Sequence, residues 1–359
     1  MIQTTAIERF TGKAAGYHHA KQMSVPSDTQ SLGQPLTKRM NLEFPMGPDI
    51  IYLRSPSNLA YGSVQVLDWN IDRNDGVWGR GQEVKVEVEF RSHIQAVLDC
   101  AKVDLILENE GEVGIEILAT QVIRIDIQVY IPVRDELPSY RLQAEDLELE
   151  TSDAYISGEF TATRSAKFVT SNGFIEATVK LITDRTINEG AHTTLLMQTS
   201  NGYVRRYPSY HLFAFTFPSR YIHSHLSLVS RNTTGGRYEV DALTSNGAVD
   251  IAYIVAPLGS TLIHNSRTTN ARANVSLHPA YEGSFRFQCS HDLPLIDHRD
   301  TEDPVGHSSR RCLSLVDNGF IGEVHRGGNG DDANGVVAIK TSNALALLCL
   351  REHMQCALL

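Results

Sequence analysis

Over residues 81 to 132 the chain keeps returning to a period of two. GQEVKVEVEF (81 to 90), EVGIEIL (112 to 118) and VIRIDIQVYIP (122 to 132) alternate apolar and polar positions, as strands do when one face is buried. Between them SHIQAVLDCAKVDLIL (92 to 107) has room for a short helical turn before another strand. No long amphipathic helix pattern occurs, so the expected class is all-β. Residues 1 to 43, with SVPSDTQSLGQP in the middle, show neither period and read as a flexible leader outside the core. The remaining divisions are a β-rich N-terminal region over 44 to 140, a repeat region over 141 to 350 and a tail over 351 to 359.

The repeat is the tripeptide Thr-Ser-Asn at Thr170, Thr199, Thr244 and Thr341. In front of each Thr, the residues two and four places back are mostly apolar, as in Ala166 and Phe168, Leu195 and Met197, Val240 and Ala242, or Val337 and Ile339. Period two puts each Thr on the same strand face as its apolar pair, at the inner edge of the core. Asn172, Asn201, Asn246 and Asn343, with Gly173, Gly202 and Gly247, then supply the bend, the Gly residues by positive φ. Apolar residues return at Ile175, Val204 and Val249, so the chain has turned into a new strand. Degenerate copies at Thr151, Thr268 and Cys289 extend the series, and its short steps of 19, 24 and 21 residues match one coil of a β-solenoid. The expected architecture is therefore a parallel β-helix-like solenoid with ladders of Thr and Asn after the β-rich N-terminal region. The alternative is a β-sandwich built from Asn-Gly hairpins.

TSNG itself, the run NARANVSLHPAYEGSF (270 to 285) and the closing VVAIKTSNALAL (336 to 347) resemble an uncharacterised fungal family with TSNG repeats. That family is distantly similar to bacterial adhesin-like domains of unknown function, which are β-helical. The resemblance covers roughly residues 80 to 350 and implies the solenoid and an adhesion-like role, with no catalytic residues to carry over. The chain departs from the pattern at Asp153, Ala271, Ala344 and Cys289-Ser-His-Asp.

Charge narrows the partners. Asp plus Glu is 42 against 32 Lys plus Arg, a net charge of −10, which disfavours nucleic acid because phosphate neutralisation needs a basic face. The start lacks the apolar run of a secretory signal and no stretch reaches the roughly 18 apolar residues of a membrane span, so a cytoplasmic protein is expected. Five cysteines without CxxC spacing are read as reduced thiols. Asn232 and Asn274 fit the glycosylation pattern. The last four residues, Cys356-Ala-Leu-Leu, fit a prenylation signal at Cys356, which alone would give only weak membrane association.

Chemistry is sparse. Six places after each Thr the outward column reads Ser157, Glu176, Arg205, Asp250, Asn274, an alternation of sign expected of an ion ladder, whereas a glycosidase needs two carboxylates facing a cleft. His223 and His225 share a strand face but lack a third ligand. The segments NIDRNDG (70 to 76), HDLPLIDHRDTEDPVGH (291 to 307) and RGGNGDDANG (326 to 335) match neither a calcium loop, a metal motif nor a phosphate loop, and no GxSxG elbow is present. No catalytic residue, metal or cofactor is expected. The expected function is a non-enzymatic scaffold with a glycan or protein ligand, the alternative a polysaccharide-active enzyme.

Overall fold

The computed structural model describes residues 35–45, 50–54, 60–70, 83–106, 112–119, 123–133, 142–183, 192–200, 221–231, 234–290, 293–298, 311–317, 320–326 and 335–350. They form one large, mixed, open β-sheet system with a single six-residue helix, α1 (Gln95–Cys100). The early strands are β1 (Leu36–Pro45), β2 (Ile50–Arg54), β3 (Ala60–Asn70), β4 (Glu83–Ser92), β5 (Lys102–Ile106), β6 (Glu112–Leu118) and β7 (Ile123–Val133). The repeat region contains β8 (Leu142–Thr151), the long β9 (Asp153–Thr170), β10 (Ile175–Thr183), β11 (Thr193–Thr199), β12 (Tyr221–Ser230), β13 (Arg237–Thr244), β14 (Ala248–Val255), β15 (Thr261–Thr268) and β16 (Ala273–Ser276). It closes with β17 (Gly283–Cys289), β18 (Leu295–Asp297), β19 (Arg311–Val316), β20 (Ile321–Arg326), β21 (Gly335–Thr341) and β22 (Ala346–Cys349). The helical turn and following strand expected within 92 to 107 are α1 and β5. Strand β1 begins inside the segment that reads as a leader and buries Met40 and Leu42.

Strands that enter the corners, continued by β2 and β6 at one end and by β17, which ends at Cys289, at the other, pair in parallel in the spatial order β6, β2, β8, the second half of β9, β11, β13, β15, β21, β17. Strands that leave a corner form a second parallel ladder, in the order β7, β3, the first half of β9, β10, β12, β14, β16, β22, β18. Among the described residues the two strands flanking a corner do not pair antiparallel with each other, so those corners are not hairpins. Burial alternates along most of the ladder strands, as in β11, where every second residue from Thr193 to Thr199 is buried, and the buried rows of both ladders join one core. Antiparallel strands flank the ends, with β1 on β4 and β4 on β7, β5 on β6, and β20 between β17 and β19. Spatial order departs from sequence order at both ends. The strands β2 and β3 lie inside the later β6 and β7, and the last two strands, β21 and β22, sit between the earlier β15/β16 and β17/β18.

At the corners the register aligns Thr151, Thr170, Thr199 and Thr244 in one row, and Thr268, Thr341 and Cys289 in its continuation. The Thr residues are buried, and hydrogen bonding explains why Thr occupies the slot. Thr170 Oγ1 accepts the Gly173 N–H at 2.9 Å and donates to the Ala154 carbonyl of the neighbouring corner at 2.9 Å. Thr199 donates in the same way to Gly173 O at 3.0 Å, and Thr268 to Gly247 O at 2.8 Å. One hydroxyl thus joins its own bend to the next. Just outside, Asn270 donates to Asn246 and Asn343 donates to Asn270, at 2.5 and 2.7 Å, forming the expected Asn ladder.

The glycines act for a different reason from the one expected. Neither Gly173 nor Gly247, nor any corner Asn among the described residues, has positive φ. A Cβ on Gly173 would collide with the Ala154 carbonyl oxygen of the adjacent corner. Gly is needed there because two backbones pass too closely for a side chain. Gly173→Ala should cost about 3 kcal/mol, the upper range of overpacking, and denaturant unfolding measures it; a change below about 0.5 kcal/mol would remove this explanation.

Cys349 is disulfide-bonded, with Cys100 and Cys289 free, which corrects the expectation of uniformly reduced thiols. Asn201, Gly202, Arg205 and Cys356 lie outside the described residues, as do most of the 70 to 76, 291 to 307 and 326 to 335 segments. No helix among the described residues is long and apolar enough to cross a membrane.

Candidate ligand-binding face

Outward residues of the second ladder stack into rows across strands. The inner side chains Ile156, Ile175, Ile222, Val249 and Ala273 are buried, so their immediate neighbours point away from the core. In the first row, Tyr155 and Phe174 stack with ring centroids 4.8 Å apart and planes parallel, and Phe174 stacks on Tyr221 at 5.5 Å. Gln65 donates to the Tyr155 hydroxyl at 2.9 Å, fixing the outer end of the stack. After Tyr221 the register places Ala248, and after Ala248 comes Arg272, whose carbonyl accepts the Val249 N–H at 3.0 Å. Rings line three rungs, the fourth is an alanine and the fifth an exposed cation.

The second row reads Ser157, Glu176, His223, Asp250, Asn274. Its middle member differs from the sequence-based column, which had Arg205 there. Strand β12 lies between β10 and β14, so His223 fills the slot. His223 Nδ1 is 3.4 Å from Asp250 Oδ2, and Asn274 Nδ2 donates to Asp250 Oδ1 at 2.9 Å. The bond to Asp250 raises the His223 pKa above the ordinary imidazole value despite the opposing effect of burial, and the Glu176 charge adds to the rise. Burial pulls Asp250 upward, but the bonds from His223 and Asn274 and the charges of His223 and Arg272 outweigh it and hold the carboxyl below its usual range. The phenol of Tyr221 is raised by burial and by Glu176. His225 lies in the third row with its ring 5.0 Å from that of His223.

Along β14 the outward residues Ala248, Asp250 and Ala252 form the middle line of a three-strand strip, a shallow trough at the two alanines that the bonds of Asp250 to His223 and Asn274 cross between them. Tyr221, His223 and His225 make one wall; Arg272, Asn274 and Ser276 make the other. Such a surface offers an aromatic face, a cation and hydrogen-bonding groups to a ligand lying on it. Among the described residues no group of three or more His, Cys, Asp or Glu is arranged to hold a metal ion. The predicted corner residues that are described, Thr170, Asn172, Gly173, Thr199, Thr244, Asn246, Gly247, Thr341 and Asn343, lie at the bends and contribute nothing to the trough. The ring row was legible as a column four places after each Thr, where the sequence has Tyr155, Phe174, Tyr203, Ala248 and Arg272. Only the substitution of Tyr221 for Tyr203 was hidden.

A different polar cluster lies inside. Tyr253 Oη is 2.7 Å from His264 Nδ1, and His264 Nε2 is 2.6 Å from Ser266 Oγ. The three are fully or almost fully buried, and burial lowers the His264 pKa to about 3. The Ser266–His264 contact lies within β15 and lacks access for a substrate, while the Tyr253–His264 bond ties β14 of one ladder to β15 of the other across the core.

No known protein family and no curated protein matches the chain. Among solved structures, a candidate cell adhesion protein from Clostridium sporogenes aligns over 89% of this chain and 100% of its own, at 8% identity and a TM-score of 0.24. A likeness that weak carries no argument about this chain. The resemblance to a TSNG-repeat family likewise finds no match to support it.

Proposed function

We propose that the protein is a β-solenoid-type scaffold that binds a glycan on the outer face of its second parallel ladder. The observation that carries this reading is the stacked row Tyr155, Phe174 and Tyr221 ending at the trough over β14. Sugar rings pair apolar C–H faces with aromatic rings and hydroxyls with carboxylates and amides, and the trough presents both kinds of group side by side. The repeat corners supply rigidity, since hydroxyl and amide ladders hold neighbouring strands in register.

Binding without turnover fits the carboxylates better than cleavage does. Hydrolysis of a glycosidic bond uses one carboxyl kept protonated as a general acid, whereas Asp250 is held in its charged form by His223 and Asn274. The Cys349 disulfide suits an oxidising compartment and turns the reading away from the cytoplasm. Glycan-array screening followed by calorimetry tests the proposal. Tyr221→Ala should weaken binding about tenfold to a hundredfold while the protein still unfolds cooperatively, a few degrees lower for the lost stack on Phe174; an array without any binding, or a variant that binds as the native chain does, would overturn it.

A further inference from the structure

The gap in the ring row is specific. Rings at Tyr155, Phe174 and Tyr221 stack in turn, but the rung that register places next to Tyr221 carries only the small side chain of Ala248. Across that side chain, two strand spacings from Tyr221, stands Arg272. At about 4.8 Å per strand the opening is about 9.5 Å wide, enough for one further ring in contact with both walls.

Charge decides what kind of ring. Both Asp250 oxygens are engaged, one by His223 and the other by Asn274. Glu176 lies on the far side of His223, two strands from Asp250 and away from the gap. The Arg272 side chain is exposed and makes neither a hydrogen bond nor an ion pair among the described residues, although its charge acts on the neighbouring Asp250. The group at the gap whose hydrogen-bonding fork is not engaged is thus a guanidinium, whose planar shape matches a carboxylate.

Resting on the glycan-binding reading, we propose that the Ala248 rung seats an acidic sugar: a uronate ring stacks on Tyr221 and its carboxylate pairs with Arg272. Asn274 and Ser276 on the same wall face the ring hydroxyls. The seat is one residue wide, so it recognises a single acidic unit within a longer chain.

Calorimetry with a galacturonate oligosaccharide and a neutral glucose oligosaccharide of equal length separates this proposal from its parent. The native protein should bind the uronate about tenfold more tightly than the neutral sugar, Arg272→Gln should bring the two affinities of that variant to within about twofold of each other, and Ala248→Phe should fill the rung and abolish both. Equal affinity for the two oligosaccharides, with Tyr221→Ala weakening both, would overturn the acidic seat while the glycan face stands. Retained preference in Arg272→Gln would also overturn it. Absence of binding to either sugar would overturn both proposals.

Discussion

Between pH 6.5 and pH 3 the protein should lose on the order of 5 kcal/mol of stability through one residue, His264. Its pKa is lowered by burial to about 3, while in the unfolded chain an imidazole titrates near 6.5. The folded pKa is depressed, so as pH falls below 6.5 the unfolded state takes up a proton that the native state does not. Stability is complete above the unfolded value and is lost progressively until the folded value is reached; at about 1.4 kcal/mol per pKa unit the gap gives the stated size. Neutral His264 has one N–H and one lone pair, which suit one donor and one acceptor among Tyr253 and Ser266. A proton added there would be a buried charge without a counter-ion. Denaturant unfolding at several pH values measures the slope. The triple variant Tyr253→Phe, His264→Leu, Ser266→Ala, which removes every member of the cluster, should lose most of it. An unchanged slope in that variant would assign the acid sensitivity elsewhere, with Asp146, lowered by its bonds to Arg164 and Ser165 despite burial, as the next group to examine.

The second large effect concerns chain order. A chain ending at residue 334 should fail to unfold cooperatively, because β21 and β22 are interior members of both ladders and not terminal additions. Their removal separates β15 from β17 and β16 from β18, leaving backbone edges unpaired. It also deletes Val337, Ile339 and Leu348, each almost fully buried. At about 2 kcal/mol for each such side chain the loss is about 6 kcal/mol before any hydrogen bond is counted, comparable to the whole stability of an ordinary domain. Circular dichroism on heating measures the outcome. A sharp transition within a few degrees of the full-length chain would show that β17 and β18 close directly onto β15 and β16, and would sink the prediction.

The trough illustrates how nearness is decided. Glu176 and Asp250 were identified from the sequence as outward residues at the same place in the repeat, and the structure puts them in one row. What lay between them was misread. The column assumed that residues six places after Thr199 form the next strand, so Arg205 was inserted and the row looked like a fixed ion ladder. The strand found there is β12, so the intervening group is His223, an imidazole whose charge depends on Asp250 and Glu176. A long step in the repeat conceals which of its residues continue the ladder, because backbone pairing can be satisfied by any strand of suitable length.

Local chemistry was readable without a structure. Alternation at period two determined the strands and their inward faces, and the shared Thr-Ser-Asn determined that the chain bends at the same point in the copies at Thr170, Thr244 and Thr341. Both depend on residues adjacent in the chain. The role of Gly173 needed the tertiary structure, since the obstacle to a side chain is the Ala154 carbonyl of another corner. So did the order of strands, since the hydrogen bonds of a parallel ladder are indifferent to how far apart in sequence their partners are. Sequence alone thus determined the corner and the faces it separates. Tertiary pairing decided which faces became neighbours, and hence that three rings, an alanine and an arginine stand in one row.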